Sequence, residues 1–427
     1  MNRTYRLWYV LALLLALAPA GWRLLQWRKA PSLEVDPEMA RAGEVLFKHE
    51  WRPKDPLCPD GDGLGPLYNA TSCVACHNQG GAGGSGGTQQ NVTTFMLLVS
   101  GQEPRAGLIH AHHTGEPRYQ TTMLERLRSS GVPQVSQRNT PALFGAKLID
   151  EIPERVILAE AKRQRLKWGM GRPDPERDSL DRVVGNVESE LDGRFARRAK
   201  QVAVVPLGRV SRLADGRIAR FGWKAQTATL SDFVRAACAN ELGLGNPGNP
   251  QPTPLLWGES ASPPAGFDLT ELQCDQLTAF CASLPRPKER LPKDVTAARA
   301  AAGEKRFRRI GCADCHTPNL GSVNGIYSDL LLHDMGPSLS GSGNYGSPSL
   351  PTPTVLAAGP SPSEWRTPPL WGVADSAPYL HDGQAATLEE AIRRHGGQGQ
   401  RAADAFAELS PVEQHELIAF LNTLRAP

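Results

Sequence analysis

Cys73-Val74-Ala75-Cys76-His77 and Cys312-Ala313-Asp314-Cys315-His316 decide the reading of this chain. Both are C-x-x-C-H, the attachment signature of c-type haem. Two thioethers hold the porphyrin, and the adjoining histidine gives iron an axial nitrogen. A lone C-x-x-C in a cytosolic chain is equally open to a zinc or thiol-redox reading. Two copies, each closed by His, point to two covalently bound haem c groups. Cys73, Cys76, Cys312 and Cys315 attach them, and His77 and His316 ligate iron.

The flanks of the motifs repeat as well. Ala42-Gly43-Glu44-Val45-Leu46-Phe47 precedes the first, and Ala302-Gly303-Glu304-Lys305-Arg306-Phe307 the second. Arg138–Gly145 echoes Arg366–Gly372, and Trp223–Leu230 echoes His381–Leu388. Leu277-Thr278-Ala279-Phe280 returns as Leu417-Ile418-Ala419-Phe420. Four blocks in one order predict two duplicated cytochrome c-like haem domains, 35–290 and 291–427. Capping-box spacing starts the closing helix of each, Asp268 with Glu271 and Ser410-Pro411 with Glu413. Alternating strand-like runs are scarce, so the fold is expected to be mainly α. An inserted loop-rich segment, about 151–220, lengthens the first domain and reads as a surface excursion, with a partner-docking element as the alternative. Its apolar run Val202–Leu207 would suit a strand. The Gly80–Gly87 stretch reads as a flexible loop beside the first haem, since no strand leads into it for phosphate binding.

Residues 1–30 read as a signal peptide or an N-terminal membrane anchor. Arg3 and Arg6 precede an uncharged run, Leu7–Trp22, with a small-residue cleavage site at Ala18-Pro19-Ala20. Either reading puts the body of the protein in the periplasm or another extracytoplasmic space, with membrane association if the segment is retained. At 427 residues the chain is long enough for two domains, and a net charge of +3 gives no sign of a nucleic-acid partner. Cys58, Cys238, Cys274 and Cys281 remain, an even number suited to two disulfides of undetermined pairing. Cys274 and Cys281 lie too far apart along one helix to bond each other.

The two copies differ where it matters chemically. His395 lies fourteen residues after His381, at the end of a predicted helix 387–394, whereas the same step from Trp223 reaches Ala237. His395 is either a distal ligand on the second iron or a surface imidazole at a helix terminus. Alanine cannot ligate. The first haem would then keep an open coordination position.

The chain resembles the bacterial dihaem cytochrome c peroxidases. It is more similar still to the di-haem oxidoreductase family, which is related to the dihaem enzyme that matures a tryptophan quinone. Gly63–Leu67, Arg138–Leu143, Phe221–Ala225, Asn240–Gly243, Asp329–Pro337, Glu364–Gly372 and Ala377–Gly383 carry the resemblance, which runs to the C-terminus and leaves 151–220 poorly covered. It implies that Trp223 lies between the haems and passes electrons. Glu241 would be the acid near the first haem, and Ser376 and Pro378 part of a calcium-binding turn. His395 matches a distal-ligand position that is Met or Tyr in relatives, with Met335 as the alternative ligand of the same haem. Two departures stand out: Phe233 replaces a usual Gln, and Asn91–Thr94 lacks a usual capping His. His110, His112 and His113 would be capping substitutes or surface residues.

These expectations describe a peroxide-reactive oxidoreductase. Catalysis would sit on the first haem with Glu241 moving protons, and the second haem would relay electrons through Trp223. Asp150, Glu151 and Glu154 are alternative acids. The partners would be hydrogen peroxide or a related oxidant and an external donor, a small redox protein or quinol-linked cytochrome. Oxidation of a protein side chain or small substrate is one alternative, and a pure electron carrier with both irons saturated is another.

Overall fold

Helix α1, Pro37–Lys48, buries Gly43, Leu46 and Phe47. Gly43 carries no Cβ because one would overlap the Gln276 carbonyl oxygen and crowd Phe280 on helix α5, Glu271–Ser283. The second half contains the same crossing. In helix α6, Ala297–Arg309, Gly303 meets the Glu416 carbonyl and Phe420 of helix α8, Pro411–Leu421. In both places glycine lets two helix backbones touch, in front of a haem motif.

The computed structural model describes residues 35–98, 105–168, 205–252, 266–343 and 359–427. Residues 38–427 form one unit. The expected export segment lies outside the described residues, as do Val202–Val204; Val205–Leu207 takes no strand. No described helix is long and apolar enough to cross a membrane.

Helices dominate, with one correction to the expected balance. Strands β1 (Val92–Leu98), β2 (Arg105–Ile109) and β3 (Val132–Arg138) form an antiparallel sheet in the order β2-β1-β3. Helix α2, Tyr119–Ser130, supplies Tyr119, Met123 and Leu127 to the cluster around Phe95, Leu97 and Ile109. In β1 the consecutive residues Val92–Phe95 are all buried. A strand covered on both faces shows no apolar–polar alternation, and that is why it escaped detection.

The main core draws on both halves, from Leu46 to Ala426, and includes Leu320, Ile326, Leu331 and Trp371. A second core, Phe307, Ile310, Tyr327, Leu388, Phe406, Leu417, Phe420, Leu421 and Leu424, belongs to the C-terminal half alone. All eight cysteines are unbonded. The expected disulfides are absent: Cys58, Cys238, Cys274 and Cys281 are buried thiols of the main core, packed as small apolar groups. Ser410 and Glu413 make the expected capping box, but the one on α5 is Thr270 with Gln273. Asp268 is buried and accepts from Gly63 N at 2.8 Å and Gly245 N at 2.7 Å, tying two loops together.

The inserted segment is not merely a surface excursion. Helix α3, Glu154–Lys167, buries Gln164, whose amide donates to Asp329 Oδ2 at 2.7 Å and to the Asp314 carbonyl at 3.2 Å. Gly208 N returns a bond to Gln164 Oε1 at 2.7 Å, and Lys167 pairs with Asp314. Asp314 stands inside the second C-x-x-C-H, so this helix braces that motif.

Candidate functional site

Each motif histidine is aimed by a backbone carbonyl. His77 Nδ1 donates to Gly84 O at 3.1 Å, and His316 Nδ1 to Tyr327 O at 3.0 Å. That fixes the tautomer and leaves each Nε2 as the available nitrogen, the usual outer-shell arrangement for a ligating imidazole. Phe47 stands 6.2 Å from His77 between ring centres, and Phe307 stands 6.4 Å from His316. Burial holds both imidazoles down at about 4, with the carbonyl bonds pulling the other way. The Gly80–Gly87 stretch is therefore no flexible loop. Gly83–Gly86 are buried, and an added Cβ on Gly84 would overlap the Gln79 carbonyl.

In the second half, His395 follows helix α7, Leu388–Arg393, directly after its C-cap. Its Nδ1 donates to Ala391 O at 2.7 Å, and its ring centre lies 6.5 Å from that of His316. Two imidazole–metal bonds of about 2 Å, with a ring radius of about 1 Å at each end, span roughly that separation. A cavity of about 580 Å³ contains both rings, with Cys312, Cys315, Trp223, Trp365, Tyr379 and Arg366 in its wall. Met335, Ser376 and Pro378 line it too. The Met335 methyl and the His395 ring both lie against Gly399. Ser376 Oγ donates to Gly372 O at 2.8 Å. Among the described residues, Cys315, Asp329 and His333 bring their ligand atoms within 4.8 Å of one another.

Trp223 sits in a turn whose geometry recurs. Phe221 bridges Thr227 as Tyr379 bridges Ala385, and Gly222 and Ala225 have the left-handed φ that Leu380 and Gly383 adopt. Thr229 caps helix α4, Leu230–Leu242, as Thr387 caps α7. The second half clamps this turn. Arg366 N donates to Trp223 O at 2.9 Å and Arg366 Nε to Gly222 O at 2.8 Å. Lys224 Nζ reaches Ser361 O at 2.9 Å, Pro362 O at 2.6 Å and Glu364 O at 2.7 Å. The indole Nε1 of Trp223 donates to Asn139 O at 2.8 Å, and Asn139 N donates to His381 O at 2.7 Å.

On α4 the buried face is Leu230, Val234, Cys238 and Leu242, whereas Phe233, Ala237 and Glu241 form a half-buried stripe at intervals of four. Glu241 Oε2 accepts from Asn69 Nδ2 at 2.7 Å, and Glu241 O accepts from Asn69 N at 2.7 Å. Asn69 precedes Cys73 by four residues and straps Glu241 to the first motif. Burial, then the charge of Glu241, pushes the Cys76 thiol up to about 12. The alternative acids have other work: Asp150 Oδ1 accepts from Leu230 N, Glu154 Oε1 accepts from Ile218 N, and Glu151 pairs with Lys147. His112 and His113 lie in a short strand against Tyr68 and Tyr119, while His110 is buried.

Asn69, Gln164, Lys224 and the Gly84 and Tyr327 carbonyls went unmarked in the sequence. Only the repeat gave a signal, through Phe47 and Phe307, which each stand beside a motif histidine.

A family model described as "Di-haem oxidoreductase, putative peroxidase" matches residues 215–424, and over that span the chain is similar to this family. The methylamine utilization protein MauG of Methylorubrum extorquens is 30% identical over 123 residues, 28% of this chain and 32% of that protein. The match thus spans about a third of the relative's length. Among solved structures, a MauG-like protein associated with microbial copper homeostasis is 20% identical, covering 51% of this chain and 77% of that one, with a TM-score of 0.30. The diheme peroxidase BthA of Burkholderia thailandensis is 16% identical, covering 36% and 50%, with a TM-score of 0.25.

Haem, the cofactor the family implies, fits the residues present. The cavity offers facing imidazoles, an apolar wall and the Arg366 guanidinium, and Arg138 lies behind its Trp365 wall. Arg366 is buried, with Gly222 and Thr367 carbonyls as its acceptors. Arg138 is buried, held by the Gln137, Gly341 and Ser342 carbonyls and Ser136 Oγ. Burial pushes both guanidinium groups down to about 10. A large apolar group bearing carboxylates suits that lining.

Proposed function

We propose that the protein is an exported dihaem c-type oxidoreductase that handles peroxide at its first haem and relays electrons through its second. The single observation that carries this reading is an asymmetry. His395 faces His316 at 6.5 Å between ring centres, whereas the corresponding stripe on α4 offers Ala237. The matched glycine crossings, phenylalanine–histidine pairs and left-handed turns support two duplicated haem domains, meeting near residue 290.

In this reading Cys73 and Cys76 attach one haem and Cys312 and Cys315 the other. His77, His316 and His395 are the iron ligands, and Met335 stands by as the alternative to His395. Bound there, haem supplies the one-electron and oxygen chemistry that side chains lack. Glu241 moves a proton beside the first haem, and Asn69 fixes its carboxylate through one short hydrogen bond. Trp223, pinned by Arg366, Lys224 and Asn139, bridges the halves as the electron path. Ser376 and Pro378 are retained as part of a calcium site between them. An external redox protein or quinol-linked cytochrome supplies electrons from outside the cytoplasm.

Electron spin resonance of the resting holoprotein tests this directly. One high-spin and one low-spin ferric signal are expected, with cyanide converting the high-spin signal alone. Two low-spin signals that ignore cyanide would make the protein an electron carrier.

A further inference from the structure

His110 follows β2 and is 3% exposed. Its Nε2 lies 2.9 Å from the Asn240 carbonyl, which can only accept, so Nε2 carries the proton. Nδ1 is then a bare lone pair, and it meets no donor from the protein. The side-chain Oδ1 of Asn240, in a residue 2% exposed, is equally unpartnered. A buried acceptor left unsatisfied costs about 1–3 kcal/mol. Each of the two can be satisfied by a small molecule that brings an O–H or N–H.

The position of these atoms gives them a role. Asn240 precedes Glu241. Ala111, next to His110, donates to Asn69 Oδ1 at 2.9 Å, and the amide of Asn69 holds Glu241. His110 therefore belongs to the network that ties Glu241 to the first motif. Burial holds the His110 imidazole down at about 4, against the pull of the Asn240 carbonyl, so at neutral pH it is an uncharged base. Phe233 stands on the same face of α4 as Glu241 and brings no polar atom.

We propose that His110 and Asn240 form a receiving site for a small O–H acid, water or a hydroperoxide, beside the first haem, with His110 Nδ1 accepting its proton. The donor's O–H bond breaks and an Nδ1–H bond forms. The imidazolium keeps its Nε2–H on the Asn240 carbonyl, and the conjugate anion stays behind. The inference rests on the first haem being open, as proposed above.

Hydrogen cyanide is a suitable probe, because it must surrender a proton to bind iron as cyanide. His110→Gln and His110→Asn keep an amide N–H for the Asn240 carbonyl but have no base. In holoprotein of unchanged melting temperature, each is expected to slow cyanide association at least tenfold at pH 7, with the second-haem spectrum unaltered. Equal rates would mean that the pocket holds an ordered water only, and the proposal falls. The pH profile gives an independent check: the parent's rate advantage over His110→Gln should fade as pH falls toward about 4, where the imidazole is already protonated, and an advantage that persists unchanged overturns the proposal. A parent protein that binds no cyanide overturns the open-haem reading instead.

Discussion

Lys224 Nζ stands 3.6 Å from the centre of the Trp365 ring, an amine buried against an aromatic face. His381 stacks on the same indole at 3.8 Å, and Arg138 adds a guanidinium at 4.6 Å. Lys224→Met keeps the stem but leaves three carbonyls without their donor. A loss of about 3 kcal/mol is expected, read by denaturant unfolding. Burial, then the charge of Arg138, pushes the ammonium from 10.5 down to about 6. Between those values the unfolded chain binds a proton that the folded chain refuses, so this residue makes stability fall as pH falls from about 10 toward about 6. The Met variant should lose that slope, and an unchanged slope would assign the pH dependence to other groups.

His395 is expected to hold the second haem low-spin. His395→Gly should convert that haem to high spin, whereas His395→Met should keep it low-spin and raise its reduction potential. Optical redox titration reads both. If His395→Gly changes nothing and Met335→Ala converts the haem, Met335 is the ligand.

The glycine crossings give a matched pair of stability tests. Gly43→Ala and Gly303→Ala each force two helices apart, at a cost of about 1–3 kcal/mol. The sites share no partner, so the double variant should lose nearly the sum of the two. Thermal melts of all three variants check this, and a neutral single variant would refute the close packing at that crossing.

Trp223→Phe removes the indole bond to Asn139 and keeps a ring in place, so only about 1 kcal/mol of stability should go. Electron transfer between the haems, followed after flash reduction, should slow markedly. Unchanged transfer would leave Trp223 a packing residue.

The two C-x-x-C-H motifs were readable because covalent haem attachment demands fixed spacing. The repeat put Gly43 and Gly303 in corresponding places, and each lies at a close helix crossing. What the sequence hid was long-range. Strand β1 is buried on both faces and lost its period. Gly80–Gly87 has the composition of a loose loop, yet its carbonyl at Gly84 aims His77. Asp150 and Glu154 look like free acids until their backbone partners, 80 and 64 residues away, are known. Gln164 and Asn69 act through pairings 165 and 172 residues long, which no local pattern announces.

Gln164 also settles where this protein can be cut. Its side chain joins three pieces, residues near 208, the Asp314 carbonyl and Asp329, so the start of the extra segment belongs to the second motif's foundation. A shortened chain that removes only 171–203 keeps every one of those bonds. One that trims back through Gln164 leaves Asp329 with His333 and Leu331 only, and takes the partner from Gly208 N and a donor from the Asp314 carbonyl inside the second motif. Within a single apparent insertion, Gln164 is thus a foundation residue, and a deletion that reaches it takes those bonds away.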